Sequence, residues 1–379
     1  MKILFIVNNI FARGNGLSAS VRRTAELLKA RGHQVRICSG GGENGERADY
    51  PLRDFELPVF GGLVRSQGYS FAAADKKVLA EAIRWADIVH LEEPFWLQMR
   101  AAGLAGKLGV PLFATYHLHP ENLFASVRLE RSRFFNDTCM LFWRNLVFDR
   151  CQAVQCPTEK VKKRLERWHF RARLPVISNG ISPLAELPAA DKPGDGTYTI
   201  LCVGRLSREK DQETLLRAMR HSRYAGRIRL VFAGRGPREK QIKALAAELT
   251  AEGVLRYAPV FGFYDGAELT KLAVNSDLYV HCATVEVEGM GCMDAARTGL
   301  VPIIAEGDKT STSQFALSPE SIFPAGDERA LAGRIDWWLA DDERRKGEAL
   351  RYRGMDGQYY VEKSVTALIS EYERIIKKD

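Results

Sequence analysis

The sequence predicts an α/β chain of two consecutive parallel-sheet domains. Three observations lead there. Apolar, strand-like runs alternate with amphipathic, helix-like runs along nearly the whole length. The strand-like runs are apolar on both sides, as strands covered by helices on both faces must be. The series halts once, at a stretch rich in Pro, Ala, Gly and Asp, and then restarts. At 379 residues the chain also exceeds what one ordinary core organises.

The first series opens at residues 3–7. The N-terminal MKILFIVNNIF has the lysine and apolar run of a short signal peptide, but no small-residue cleavage site follows, so it reads as a buried first strand. Strands at 34–38, 88–91, 111–115 and 153–156 follow, with helical patterns at 21–30 and 74–85. The halt is SPLAELPAADKPGDGT, residues 182–197, which reads as a linker. The second series places strands at 199–203, 228–233, 255–258, 278–281 and 301–304, and residues 361–378 close the chain as a helix. The expected organisation is one domain over 1–183, a linker over 184–197, a second domain over 198–357, and a C-terminal helix over 358–379 able to pack back on the first domain.

Composition narrows the function classes. Hydrophobic residues make up 46% and charged residues 27%, as in an ordinary globular protein, and no apolar run is long enough to span a bilayer. The seven cysteines include no C-x-x-C pair, so neither a disulfide framework nor a zinc site is expected and a reducing cytoplasm is. The net charge of +8 is uneven: residues 1–183 carry 27 Lys+Arg against 17 Asp+Glu, and the remainder 28 against 30. An anionic partner of the first half fits that asymmetry as well as a merely solvated basic face does. No nucleic-acid recognition motif accompanies the charge.

Five short constellations could carry chemistry. ARGNGLSAS, after the first strand, holds Gly14 and Gly16 in a turn entering a helix, with Ser18 or Ser20 as cap; it reads equally as an anion cradle or a plain connection. It lacks the third glycine of a dinucleotide fingerprint and the G-K-[ST] of a Walker loop. GRLSREK follows the first strand of the second half, where ligands of open α/β sheets bind, and sets Arg205 and Lys210 where a diphosphate could be clamped, with Arg208 a third cation. GRGP brings Gly234, and reads first as a tight turn. EVEGMGCMD sets Glu286, with Glu288 its competitor, before Gly289 and Gly291, and Asp294 on the following helix; the carboxylates could accept hydrogen bonds from sugar or ribose hydroxyls. In TYHLHP, one of His117 and His119 is expected to face a ligand and the other the protein.

Taken together, these residues resemble family 4 retaining glycosyltransferases of the GT-B fold, in which two Rossmann-like domains face a cleft. The resemblance rests on Gly204-Arg205 with Lys210, Gly234-x-Gly236-Pro237, Glu286-x7-Asp294 running into Ala295 and Gly299-x-x-Pro302, with Gly32-His33 and Asn179-Gly180. It implies a nucleotide-sugar donor on the C-terminal domain: Arg205 and Lys210 on its phosphates, Glu286 on the sugar hydroxyls, Asp294 on the ribose where the family usually has Glu, and Gly16 in a loop closing on the phosphates. His117 matches the family's histidine near acceptor and donor sugar. Asp211 stands where a Gly commonly follows the lysine. LEEPF and ATYHLHPEN look most like bacterial glucosyltransferases that act on diacylglycerol, although Glu92, Glu93 and Pro94 replace the usual His and Thr-Pro.

The expected reaction is hexosyl transfer from a UDP-sugar, glucose by family, to a lipid such as diacylglycerol. Retention at the anomeric carbon, no metal and no further cofactor are expected, and the cations are to meet the leaving group's charge. The expected location is the inner face of the cell membrane, as a peripheral cytoplasmic protein, with Trp96, Phe134, Phe135, Trp143 and the basic run 160–167 available for contact unless the aromatics pack in the core. A soluble or polysaccharide acceptor, and a GT-B-like sugar-nucleotide epimerase, are the alternatives.

Overall fold

The computed structural model describes residues 1–12, 14–42, 46–55, 70–125, 128–184, 186–192, 194–355 and 357–377. The chain divides into two compact units, Met1–Ser182 with Tyr359–Asp379, and Pro183–Gln358.

In the first unit, β1 (Lys2–Asn9), β2 (Gln34–Gly40), β3 (Tyr50–Pro51), β6 (Ile88–Leu91), β7 (Leu112–Thr115) and β8 (Ala153–Gln155) form a parallel sheet in the order β3-β2-β1-β6-β7-β8. A separate antiparallel pair joins β4 (Asp54–Phe55) to β5 (Phe71–Ala72). The central strand β1 explains its own place. Ile3, Leu4, Phe5, Ile6 and Val7 are all fully buried, which only a strand covered on both faces allows. Helix Gly16–Ala30 covers one face with Leu17, Val21, Ala25 and Leu28 at helical spacing. Its cap is Asn15, whose side chain accepts from Leu17 N at 3.0 Å. The serines expected there do other work: Ser18 donates to Asn9 O at 2.7 Å, and Ser20 is buried within the helix.

The last helix, Val361–Ile376, belongs to this same core. Val361, Val365, Leu368, Tyr372 and Ile375 pack with Ile3, Phe5 and Val7. Burying five such side chains contributes on the order of 10 kcal/mol before chain entropy is subtracted. Val361 N donates to Ile181 O at 3.0 Å, and Arg173 pairs with Glu371 at 2.6 Å.

The second unit repeats the architecture with β9 (Tyr198–Val203), β10 (Ile228–Ala233), β11 (Val260–Gly262), β12 (Leu278–His281), β13 (Pro302–Glu306) and β14 (Ile322–Pro324), in the order β11-β10-β9-β12-β13-β14, again parallel. One expected strand is corrected. Residues 255–258 form no strand; Leu255 plugs the core from a turn, its N–H bonded to Leu249 O at 3.1 Å, and the strand starts after Pro259. Among the described residues, 182–197 contains neither helix nor strand, yet it is pinned to the second unit. Asp191 N donates to Asn275 Oδ1 at 2.6 Å, and Lys192 and Arg229 pair with Asp277 and Asp195. The seven cysteines are free thiols, all buried except the half-buried Cys139. No helix among the described residues is long and apolar enough to cross a membrane.

Candidate active site

The second unit gathers its charged groups at the carboxyl ends of β9 and β12. Past β9, the chain turns through Gly204-Arg205-Leu206-Ser207 into a short turn, Arg208–Lys210. Past β10, Gly234-Arg235-Gly236-Pro237 lies directly against it. Gly204 N donates to Ala233 O at 3.0 Å, Leu206 N to Arg235 O at 3.0 Å, and Arg238 N to Leu206 O at 2.9 Å. A Cβ on Gly234 would stand 2.0 Å from Gly204 O, and one on Gly236 2.2 Å from Leu206 O. These glycines therefore let two backbones touch, and the GRGP turn braces the loop that carries Arg205.

Arg205 is held by the buried carboxylate of Glu209, which also accepts from Ser207 Oγ at 2.8 Å. The side-chain amide of Gln212 donates to Arg205 O at 2.9 Å. Lys210 Nζ contacts Glu286 Oε2, and His281 Nε2 lies 3.5 Å from the same oxygen. Glu286 is fixed through its backbone, donating from N to Lys309 O at 2.9 Å and accepting from Ser311 N at 3.0 Å. Burial alone would raise its carboxyl pKa, but Lys210 and then His281 outweigh burial and hold it well below the usual carboxylate range. Burial lowers His281 against the pull of Glu286. At neutral pH the cluster is thus a carboxylate–ammonium pair beside a neutral imidazole. Arg208 is exposed and Glu288 is buried.

The remaining predicted residues of this unit fall nearby in the fold but differ in kind. Gly289 opens helix Met290–Ala296 with φ +92°, and a Cβ there would stand 2.4 Å from Thr312 Oγ1. Gly291 packs over Tyr279, whose hydroxyl a Cβ would meet at 3.4 Å. Asp294 lies beyond the helix's first turn, half exposed, and pairs with Arg297 at 3.1 Å. Asp211 adopts a left-handed backbone, φ +46°, which is why glycine suits that position; Thr214 Oγ1 donates to its carboxylate at 2.7 Å.

The first unit has its own polar pocket past β6 and β7, lined among others by Ser20, Thr24, Glu92, His117, Ser178 and Asn179. His117 Nε2 lies 2.7 Å from Glu92 Oε2. His90 stands behind, 3.5 Å from Glu92 Oε1, with its ring nitrogens 2.6 Å from Tyr372 Oη and 2.7 Å from Thr115 Oγ1. Burial would raise Glu92, but His90 and His117 override it and lower the carboxyl pKa. Two residues apart, the histidines would share one face of a strand, but the strand ends at Thr115 and they separate in the irregular segment that follows. His117 lines the pocket, whereas His119 is buried, 3.0 Å from Tyr116 Oη, and caps helix Pro120–Phe124. Gly14 has φ +71° in the turn before the first helix, and a Cβ on Gly16 would meet nothing within 4 Å, so packing does not demand glycine there.

Below this pocket, Glu93 accepts from Asn8 N, Asn8 Nδ2 and Gln98 Nε2 at 2.7, 2.9 and 3.0 Å. Burial nonetheless pushes its carboxyl up to about 7. A raised acid stabilises the fold fully below its unfolded pKa and progressively less as pH rises through about 7. Glu93→Gln is therefore expected to gain about 3 kcal/mol relative to the parent above neutrality and nothing near pH 4. Urea denaturation across that range checks it; equal midpoint differences at both ends would refute it.

Sequence reasoning missed Glu209, His281 and the pairing of Glu92 with His117. Glu209 had a signal, the i,i+4 spacing from Arg205; the other two are brought into place only by neighbouring strands.

Residues 14–183 match the family model Glycosyltransferase Family 4, and residues 185–352 match Glycosyl transferases group 1. Alpha-monoglucosyldiacylglycerol synthase of Streptococcus pneumoniae is 22% identical over 323 residues, 81% of this chain and 71% of its own length. A GDP-mannose-dependent alpha-mannosyltransferase of Corynebacterium glutamicum is 24% identical over 392 residues, 99% of this chain and 89% of its own. The solved structure of Anabaena HepE in complex with UDP-glucose is similar at a TM-score of 0.71, with 16% identity and 99% of each chain covered.

Proposed function

The chain belongs to the family 4 glycosyltransferases, a hexosyltransferase on the GT-B fold, and from that premise we propose that it moves glucose from UDP-glucose to a diacylglycerol-type lipid with retention of configuration. The observation that carries the reading is the cation cluster of the second unit: Arg205 and Lys210 are held by Glu209 and Glu286 at the strand ends where open α/β sheets bind ligands. Positive groups fixed before the reaction stabilise a charge that appears during it, without reorganising at that moment. In the proposed step the bond from the anomeric carbon to the β-phosphate oxygen breaks, and its electron pair leaves with UDP. The acceptor oxygen bonds to the same face of that carbon, and its proton passes to the departing phosphate. Arg205 and Lys210 take up the charge of the diphosphate, and Glu286 accepts hydrogen bonds from the sugar. In the first unit, His117, oriented by Glu92, binds the acceptor hydroxyl. Asp294 reaches the ribose through water, being a short and half-exposed side chain.

The likeness to a diacylglycerol glucosyltransferase supports the acceptor, and that to HepE with UDP-glucose supports the donor. The likeness to a GDP-mannose-dependent enzyme makes the donor the first quantity to measure. UDP-glucose and GDP-mannose are to be offered separately to the purified chain with diacylglycerol vesicles, and the lipid products identified. A glucolipid from UDP-glucose is expected. A mannolipid, a product only on soluble sugars, or an epimerised nucleotide sugar without transfer would each overturn the reading.

A further inference from the structure

Helix Arg133–Leu146 carries large apolar side chains on both of its sides. Met140 and Trp143 face inward, where Trp143 meets Phe95 edge-on at 6.0 Å. Outward, Phe134, Phe135, Leu141 and Phe142 are exposed by 72%, 41%, 41% and 50%. At about 100° per residue these four occupy one arc of about 120°. Single exposed apolar residues are ordinary; four on one helical face are not.

Cations frame the strip. Arg128, Arg131 and Arg133 are exposed just before or at the start of the helix, and none has a carboxylate partner among the described residues. Beside it runs helix Glu159–Arg167, with Lys163 and Arg167 exposed. Two polar contacts from the C-terminal end of that helix hold this region together. Arg144 donates to Trp168 O at 2.7 Å, and Arg164 pairs at 2.8 Å with Glu121, whose helix neighbour Phe124 packs on Phe135 at 5.8 Å. The whole lies in the half of the sequence that holds the excess positive charge.

We propose that this face seats the first unit on an anionic lipid surface, with Phe134, Leu141 and Phe142 entering the headgroup layer and the flanking arginines on anionic headgroups. The inference rests on the lipid-acceptor reading for its purpose and deepens it by naming the surface that meets the lipid. A second copy of the chain suits the strip poorly, because a two-fold contact would set the same unpaired arginines against each other. Trp143, one of the aromatics available in the sequence, is buried and takes no part.

Flotation of the full chain on phosphatidylcholine vesicles, with and without phosphatidylglycerol, tests the proposal. The parent is expected to float with the anionic vesicles and to be released by salt. Phe134→Ser with Phe142→Ser is expected to reduce partitioning about tenfold. Arg131→Ala with Arg133→Ala is expected to reduce it about fivefold per arginine. Both variants should keep the far-ultraviolet circular dichroism of the parent and its rate on a detergent-dispersed acceptor. A parent that stays behind, or variants that float like the parent, would overturn the inference. So would a dimer in solution that Phe134→Ser with Phe142→Ser dissolves. A parent that floats yet makes no glucolipid upholds the docking face and ends the acceptor reading instead.

Discussion

Lys210→Ala is expected to lower kcat by about a hundredfold to a thousandfold while the protein stays folded. The ammonium sits at the end of a fixed turn, held by Glu286, so its position does not depend on substrate. If it meets the diphosphate, its contribution is largest when the leaving group gains charge, and its loss falls on kcat more than on KM. The same change leaves Glu286 without its cationic partner, beside the His281 imidazole, and should raise the carboxyl's pKa. A new acidic limb in the pH–rate profile of the variant would report that rise. Steady-state rates against donor concentration, with the variant's folding confirmed by denaturation, decide it. An unchanged kcat would remove Lys210 from the chemistry.

Gly234→Ala is expected to produce the largest loss of stability among single methyl additions to the candidate site. The new Cβ would stand 2.0 Å from Gly204 O, a backbone atom that no rotamer change can clear. Either the GRGP turn or the loop bearing Arg205 must move, and both are tied into strand ends by backbone hydrogen bonds, Gly234 N to Gly262 O at 2.7 Å and Gly204 N to Ala233 O at 3.0 Å. Overpacking of this kind costs about 3 kcal/mol. For a unit of this size that corresponds to a fall of about 10 °C in Tm. Gly16→Ala, where a Cβ meets nothing within 4 Å, serves as the control and should leave Tm nearly unchanged. Equal melting temperatures for Gly234→Ala and Gly16→Ala would show that the turn relaxes freely.

Much of the fold was legible because doubly covered strands must be apolar throughout. The runs at 88–91, 228–233 and 278–281 coincide with β6, β10 and β12. What stayed hidden is short or decided by tertiary packing. The strand β14, Ile322–Pro324, has too few residues to show a period, and Leu255 is apolar because it plugs a core from a turn. The site was legible in part. Arg205, Lys210 and Glu286 stand out by residue type and position past strand ends, and the structure pairs the last two across 76 residues of chain. The carboxylate that holds Arg205 was overlooked because an acid within a charged run ordinarily reads as a solvated face. The split between His117 and His119 does not follow from strand alternation, which would put residues two apart on one face; it arises because the chain has left β7 and His119 caps the next helix.

The most direct measurement is calorimetric titration of UDP-glucose into the full chain and into Arg205→Ala. The account predicts saturable binding by the parent and clearly weaker binding by the variant, since one of two fixed cations is gone. Absence of binding heat with UDP-glucose and GDP-mannose alike, or identical affinities for parent and variant, would contradict it.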